Sequence, residues 1–275
     1  MIELTYFSDE LDTWNSLEQV QLGVEAGATA IEARSKLMGH DINDLTDAAA
    51  KVLKGYLADS NARVGIVGSG VGKCDLYDPD DVALNHRRFR RMCELAHIFD
   101  TKVIRVFGFW NPGYRAEHKL GWDKEKVLPR LVDAFGPIVE HAKKEGVVLA
   151  MEPEADTFAA TCVDLRTIMD AVDSDAMNVA WDVINTTGGA KEHPLPGGYG
   201  NIRGKVVHVH VKPDSNGTID TVADTDVTWR QIFAQLDADG FKGCASIEHW
   251  GSAEAMLSGI RQTRALLDDM GLLKK

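Results

Sequence analysis

Cysteine is scarce. The four in 275 residues, at positions 74, 93, 162 and 244, form no C-x-x-C pair. That spacing excludes a disulfide framework and a zinc knuckle, and it points to reduced thiols in a cytoplasmic protein. Basic residues are also in the minority, 30 Lys and Arg against 42 Asp and Glu, for a formal charge of -12. Such a surface repels a polyanion, so nucleic acid is not an expected partner. No apolar run approaches the ~20 residues of a membrane span. The N-terminal stretch carries Glu3, Asp9, Glu10 and Asp12 with no basic region, so neither a membrane partner nor a targeting leader is expected. Flexible linkers and composition breaks are missing too, which argues for one domain over residues 1–275.

What is present is an alternation of short β-branched runs with longer amphipathic ones, repeated eight times. Strands are expected near 2–7, 28–34, 64–67, 102–109, 147–152, 178–183, 206–213 and 244–249. Between them, apolar spacing predicts helices over about 13–26, 44–59, 80–99, 124–144, 163–172, 228–237 and 253–270. Asn43 is the expected cap of the second helix, and Pro129 with Pro137 puts a bend into the 124–144 helix. After the sixth strand, residues 186–204 hold Gly188, Gly189, Gly197, Gly198, Gly200, Pro194 and Pro196, a composition that reads as a loop over a site or a surface excursion. Strands separated by helices make a parallel sheet, and eight such units closing on themselves make a single (β/α)8 TIM barrel of the α/β class.

In that fold the reaction site sits at the C-terminal ends of the strands. The seventh run, Val206 to Pro213, alternates Val207, Val209 and Val211 with His208, His210 and Lys212, putting valines on one face and histidines on the other. Glu152, Asp182 and Glu248 stand at matching strand ends. Each candidate is preceded two residues earlier by Ala150, Ala180, His208 or Ser246, so all four point inward above a small or polar neighbour. Three carboxylates and an imidazole crowded together repel one another unless a cation neutralises them. Mn²⁺, Mg²⁺, Co²⁺ and Zn²⁺ all suit such a set, and one divalent metal ion is the expected cofactor. His208 reads instead as a hydrogen-bonded interior residue, and no second ligand cluster can be assembled from the sequence.

Two other runs carry less. The segment from Gly68 to Cys74 superficially suggests a phosphate loop, but Val67 stands at the first glycine position and Cys74 replaces the serine or threonine, leaving a turn after strand three. Arg87, Arg88, Arg90 and Arg91 read as a solvated or ion-paired helix face.

The order Glu, Asp, His, Glu at strand ends, with Ala150-Met-Glu152-Pro153, Trp181-Asp182-Val-Ile-Asn185, His208-Val-His210-Val-Lys212 and Ser246-Ile-Glu248-His249, resembles the xylose-isomerase-like sugar isomerase/epimerase superfamily. Ile31-Glu-Ala-Arg34 and Ile104-Arg-Val-Phe-Gly108 extend the likeness across nearly the whole chain. The resemblance implies metal ligands at Glu152, Asp182, His210 and Glu248, with Glu152 and Glu248 as the catalytic pair that removes and returns a proton beside a sugar carbonyl, through an enediolate. Arg34, Arg105, Trp110, Asn185 and Lys212 are the candidate substrate-binding residues, with Phe7 and Phe107 as further aromatic walls. Many relatives have histidine where this chain has Asn185 and aspartate where it has Pro213, departures that bear on the identity of the sugar. The expected activity is a metal-dependent sugar isomerase or epimerase in carbohydrate metabolism. The alternative is a lyase or dehydratase acting on a keto-sugar or dehydroshikimate-like substrate. A three-metal DNA-repair site would need more histidines, and a nonenzymatic sugar-binding barrel would bind without turnover. The partner is a small sugar or keto-sugar, and a homo-oligomer is compatible with the resemblance.

Overall fold

The computed structural model describes residues 1–274. Eight strands, β1 Glu3–Tyr6, β2 Ala30–Ala33, β3 Arg63–Val71, β4 Val103–Val106, β5 Val148–Met151, β6 Met177–Asp182, β7 Val206–Val211 and β8 Cys244–Ile247, pair in parallel in the order β1-β8-β7-β6-β5-β4-β3-β2. A bridge between Phe7 and Glu32 brings β1 and β2 together. The result is a nearly closed (β/α)8 barrel. Its helices cross between consecutive strands because parallel neighbours cannot be joined by a tight turn.

Local chemistry sets the helix boundaries. In α1 (Ser16–Ala26) the Asn15 side chain accepts from the Leu17 and Glu18 amides, and Gly27, at φ 111°, ends the helix in the left-handed conformation. Thr46 caps α2 (Asp47–Asp59), and Asp78 followed by Pro79 opens α3 (Pro79–Ile98). The expected Asn43 cap is corrected here. Residues Ile42–Asp44 form a separate short turn capped by Asp41, and α2 starts only after Thr46 offers its hydroxyl to the Ala49 amide. A short helix, α4 (Pro112–Glu117), follows β4, and α5 (Lys124–Glu145) runs unbroken through Pro129 and Pro137. Each proline removes one backbone donor. The buried stripe from Val127 through Leu131, Phe135, Ile138 and Ala142 lies on both sides of each proline and keeps the helix continuous. On α3, Arg91 pairs with Asp47 and Glu94, which places it on an ion-paired face.

The glycine-rich stretch is neither an open loop nor a loose excursion. It folds into a wide helical turn at Asn185–Gly189, a kinked segment at Pro194–Gly198 with Leu195 extended, and then α7 (Tyr199–Ile202). Thr186, Thr187, Pro194, Gly198, Tyr199 and Ile202 are buried, with the Tyr199 ring 5.2 Å from that of Trp181. The amide of Cys162, first residue of α6 (Cys162–Val172), donates to Glu192 within this segment. Burial of its apolar side chains and use of its polar ones hold the segment in place despite its glycines. The last two helices, α8 (Trp229–Ala238) and α9 (Ala253–Asp269), begin at Thr228 and Ser252 caps.

Strand residues facing the helices, such as Leu4, Ile31, Ile104, Leu149, Val179, Trp181, Val209 and Ile247, form the apolar core between sheet and helices. The barrel interior is polar instead. Thr5 and Ser246 share a hydrogen bond of 2.5 Å, and Glu32, Arg105, His208 and His210 are all buried within. All four cysteines are buried and unpaired with one another. Among the described residues no helix is long and apolar enough to cross a membrane.

β3 is longer than the sequence suggests. It continues through Gly68, Ser69 and Gly70 to Val71, and at Gly68 the backbone passes close to its neighbours: a Cβ there would meet the Glu32 side chain and the Ala33 carbonyl at 3.0 and 3.1 Å. Just beyond, Gly72 sits at φ 93°, where a Cβ would lie 2.0 Å from the Phe107 carbonyl oxygen. Replacing Gly72 with alanine is expected to cost about 1–3 kcal/mol through the forced backbone shift. Urea unfolding of the variant measures it, and an unchanged midpoint would refute the close-packing account.

Candidate functional site

The strand ends place the site. Register sets Asp182 beside His210 and His210 beside Ser246, so β6, β7 and β8 present consecutive polar tips at one height. Glu152 follows β5 directly and Glu248 follows β8 directly. The structure brings all four expected residues together: one candidate ligand atom from each of Glu152, Asp182, His210 and Glu248 lies within 4.8 Å of the others, and all four residues are buried. His210 Nδ1 stands 3.4 Å from Asp182 Oδ2, 3.5 Å from Glu152 Oε1 and 3.5 Å from Glu248 Oε2. Glu152 Oε2 and Glu248 Oε2 are buried without a hydrogen-bond partner. An imidazole nitrogen surrounded by three carboxylates, two of whose oxygens accept no hydrogen bond, is a donor set that could hold a divalent metal ion.

Cations of the chain itself surround the cluster. Lys212 Nζ lies 2.6 Å from Asp182 and 3.2 Å from Glu248, and it donates to Asn185 Oδ1 at 3.0 Å. Asn185 in turn donates to Glu152 Oε1 at 3.2 Å, so its amide bridges a lysine and a glutamate. A carboxamide can do both because it carries an acceptor and a donor. Arg105 is buried below, 3.2 Å from Glu152 and 3.3 Å from Glu32. Arg34 reaches Glu248 with one nitrogen at 3.3 Å and Asp9 and Glu10 with others at 2.8 Å.

These pairings decide the protonation states. Burial alone would push the Asp182 carboxyl up, but Lys212 and His210 outweigh it and hold the group well below the usual carboxylate range. Burial works against a charged His210, yet Glu152, Glu32 and Asp182 raise it well above the ordinary imidazole value. His208 goes the other way, lowered by burial, while its ring nitrogens are taken by Glu32 at 2.7 Å and the Cys244 carbonyl at 3.0 Å. Desolvation raises Glu10 to about 7.

A second group, Glu32, His208 and His210, also falls within metal-ligating distance, which corrects the expectation that no second cluster could be assembled. Its carboxylate was missed because Glu32 lies 176 residues from His208 in the chain. The group is spent internally. His208 uses both ring nitrogens, and Glu32 faces Arg105 as well as the two histidines.

A cavity of about 490 Å³ opens over the four-residue cluster. Of the expected substrate-binding residues, Arg34, Arg105, Asn185 and Lys212 line it. Trp110 does not; its ring lies 4.2 Å from the Arg115 guanidinium, and Phe107 supplies the aromatic wall. Phe7 lies beneath the rim, with its ring 5.2 Å from that of His210 and 4.3 Å from the Arg34 guanidinium. Among the described residues, none of 186–204 lines the cavity. Sequence reasoning missed Lys73 and Trp250 and left open the direction of Glu154, which shares a face with Glu152 but follows Pro153; all three are in the lining. Lys73, set aside with the phosphate-loop lookalike, lies 3.3 Å from Glu154 and 4.2 Å from the Phe107 ring centroid.

The family model described as "Xylose isomerase-like TIM barrel" matches residues 20–274. None of the curated proteins compared with the chain matches it. Among solved structures, it is similar to 3-keto-D-glucoside 4-epimerase from E. coli, at 18% identity over 98% of each chain and a TM-score of 0.75. The probable 3-DHS dehydratase of petrobactin synthesis from Bacillus anthracis is 14% identical over 96% of this chain and 98% of its own, also at 0.75. A xylose isomerase-like TIM barrel protein from Mycobacterium smegmatis, crystallised with magnesium, is 17% identical over 99% and 98%, at 0.73. At such identities the likeness is one of fold.

The Asp182 pairing has a measurable signature. A carboxyl whose pKa is depressed on folding contributes stability that is fully present above its ordinary value of 3.8 and is lost as pH falls towards the folded value. Chelator-treated protein is therefore expected to lose stability below about pH 4, and Asp182→Asn to remove roughly one proton, about 1.4 kcal/mol per pH unit, from that slope. Urea midpoints across the acid range test this; equal slopes in the two proteins would exclude it.

Proposed function

The chain belongs to the xylose isomerase-like TIM barrel family, and from that premise we propose that it is a divalent-cation-dependent epimerase of a small keto-sugar, moving a proton on the carbon beside a carbonyl. One observation carries the reading: the two glutamates are arranged alike. Glu152 has Oε1 held by Asn185 and Oε2 facing the Arg105 guanidinium at 3.2 Å, while Glu248 has Oε1 held by Arg34 and Oε2 facing the Lys212 ammonium at 3.2 Å; neither Oε2 accepts a hydrogen bond. Each carboxylate is thus oriented by a hydrogen bond to one oxygen, and the other, paired in charge but accepting no hydrogen bond, is the one to take a proton. One glutamate removes it and the other returns one, which is what inversion at a carbon needs.

A divalent ion such as Mn²⁺, Mg²⁺, Co²⁺ or Zn²⁺, bound by Glu152, Asp182, His210 and Glu248, would polarise the carbonyl and its neighbouring hydroxyl. The chain's own residues do the rest. Lys212 brings a positive charge to the wall where the enediolate's negative charge develops. Asn185 keeps Lys212 and Glu152 in fixed relation, and Arg105 below Glu152 stabilises its ionised form. Arg34 orients Glu248 and closes the rim beside it.

Elimination is the second reading, and Glu154 is the observation in its favour. It lines the same cavity, and burial pushes its carboxyl up despite Lys73 beside it, leaving an acid available for a departing group. Glu152 or Glu248 would still take the first proton.

Elemental analysis after incubation with each of the four ions should find about one divalent ion per chain, weakened or lost in Asp182→Asn and His210→Ala. Glu152→Gln and Glu248→Gln should each lower turnover ~10²- to 10⁴-fold. Incubating a panel of ketoses and keto-sugars in deuterated water should put deuterium at the carbon beside the carbonyl without change of formula. Loss of water from the product would select elimination, and no bound ion under any condition would sink both readings.

A further inference from the structure

The mouth of the barrel holds a second cavity of about 430 Å³ whose lining shares Arg34, Asp41 and Trp250 with the first. The two are lobes of one depression, with Arg34 on the wall between them. Each lobe has the size of a small-ligand site.

The chemistry of the outer lobe is that of a site for hydroxyl groups. Asp9, Glu10, Asp12 and Asp41 line it with Arg34, Lys36 and His249, and Arg34 is already committed to Asp9 and Glu10. Carboxylates accept hydrogen bonds from sugar hydroxyls and repel phosphates. Asp9 adds an independent sign of a ligand. It is 6% exposed, its Oδ2 accepts from Arg34 and Ser35, and its Oδ1 has no partner at all. An acceptor held rigid and left unsatisfied at a cavity wall calls for a donor. Trp250 adds the third element. Its indole is 75% exposed, far more than a residue with that much apolar surface favours, and it is anchored by the Arg34 guanidinium 4.5 Å from its centroid. A flat aromatic surface beside acceptors suits the C–H face of a pyranose whose hydroxyls point to the rim.

We propose that the outer lobe is a second sugar subsite, so that the substrate is a neutral glycoside of at least two rings. The reacting ring lies in the inner lobe over Glu152 and Glu248, and the second ring lies against Trp250 with hydroxyls donated to Asp9 and Asp12. The inference rests on the epimerase reading for the identity of the reacting ring, but the subsite itself can be tested without turnover.

The experiment is calorimetric titration of the full chain, with Mn²⁺ present, by methyl glucoside, glucose 6-phosphate, and the two-ring sugars cellobiose, maltose and lactose. At least one two-ring sugar is expected to bind ten-fold or more tightly than methyl glucoside. Trp250→Ala should bring that ratio close to one, Trp250→Phe should restore part of it, and Asp12→Asn should lower it. Trp250 and Asp12 are exposed, so these variants fold. The proposal is overturned if no two-ring sugar outbinds methyl glucoside, if the advantage survives Trp250→Ala, or if glucose 6-phosphate binds tightest. A chain that prefers two rings but exchanges no carbon-bound proton keeps the subsite and loses the epimerase reading. One that exchanges protons on free ketoses without a two-ring preference does the reverse.

Discussion

The constraint on which everything else depends is the burial of Glu32, Glu152, Asp182 and Glu248 in one barrel interior. An isolated buried carboxylate costs several kcal/mol after relaxation. Four are tolerable only because Arg105, Lys212 and Arg34 reach into the same volume and His210 takes on charge. The balance explains the layering. Lower down, Glu32, His208 and Arg105 neutralise one another. At the strand ends, Glu152, Asp182 and Glu248 share Arg105, Lys212 and Arg34 with other partners, and one oxygen each of Glu152 and Glu248 accepts no hydrogen bond. The lower layer pairs within the barrel, and the upper layer opens on the cavity through Glu152, Glu248 and Lys212.

Much of this was legible in the sequence because it depends on local periodicity. Period-two alternation in the seventh strand and acids at matching strand ends report which side chains share a face, and the eight-fold rhythm of strand and helix leaves few architectures to choose among. The meeting of Glu152, Asp182, His210 and Glu248 was readable for the same reason: once the barrel closes, strand-end residues at equal height must meet.

What escaped the sequence depends on distance or on competition between equivalent signals. Glu32 pairs with His208 only through barrel closure, and nothing near either residue announces the other. Asn43 and Thr46 are both good caps, and the choice between them turns on Asp41 building its own short turn first. The glycines from 68 to 72 looked like punctuation, yet Gly68 and Gly72 let the backbone pass close to Glu32, Ala33 and Phe107 just before Lys73 at the cavity. In the 186–204 stretch, composition spoke for an open loop, while the burial of Thr186, Tyr199 and Ile202 closed it.

The four thiols have a practical consequence. Burial pushes those of Cys74, Cys93 and Cys244 up to about 12 and that of Cys162 well above its ordinary range, so at neutral pH almost none exists as the nucleophilic thiolate. The native protein is therefore silent towards thiol-directed reagents. A single cysteine placed on its surface, at the barrel mouth for instance, would become a unique chemical handle for a fluorophore or spin label, with no need to strip the natural cysteines first.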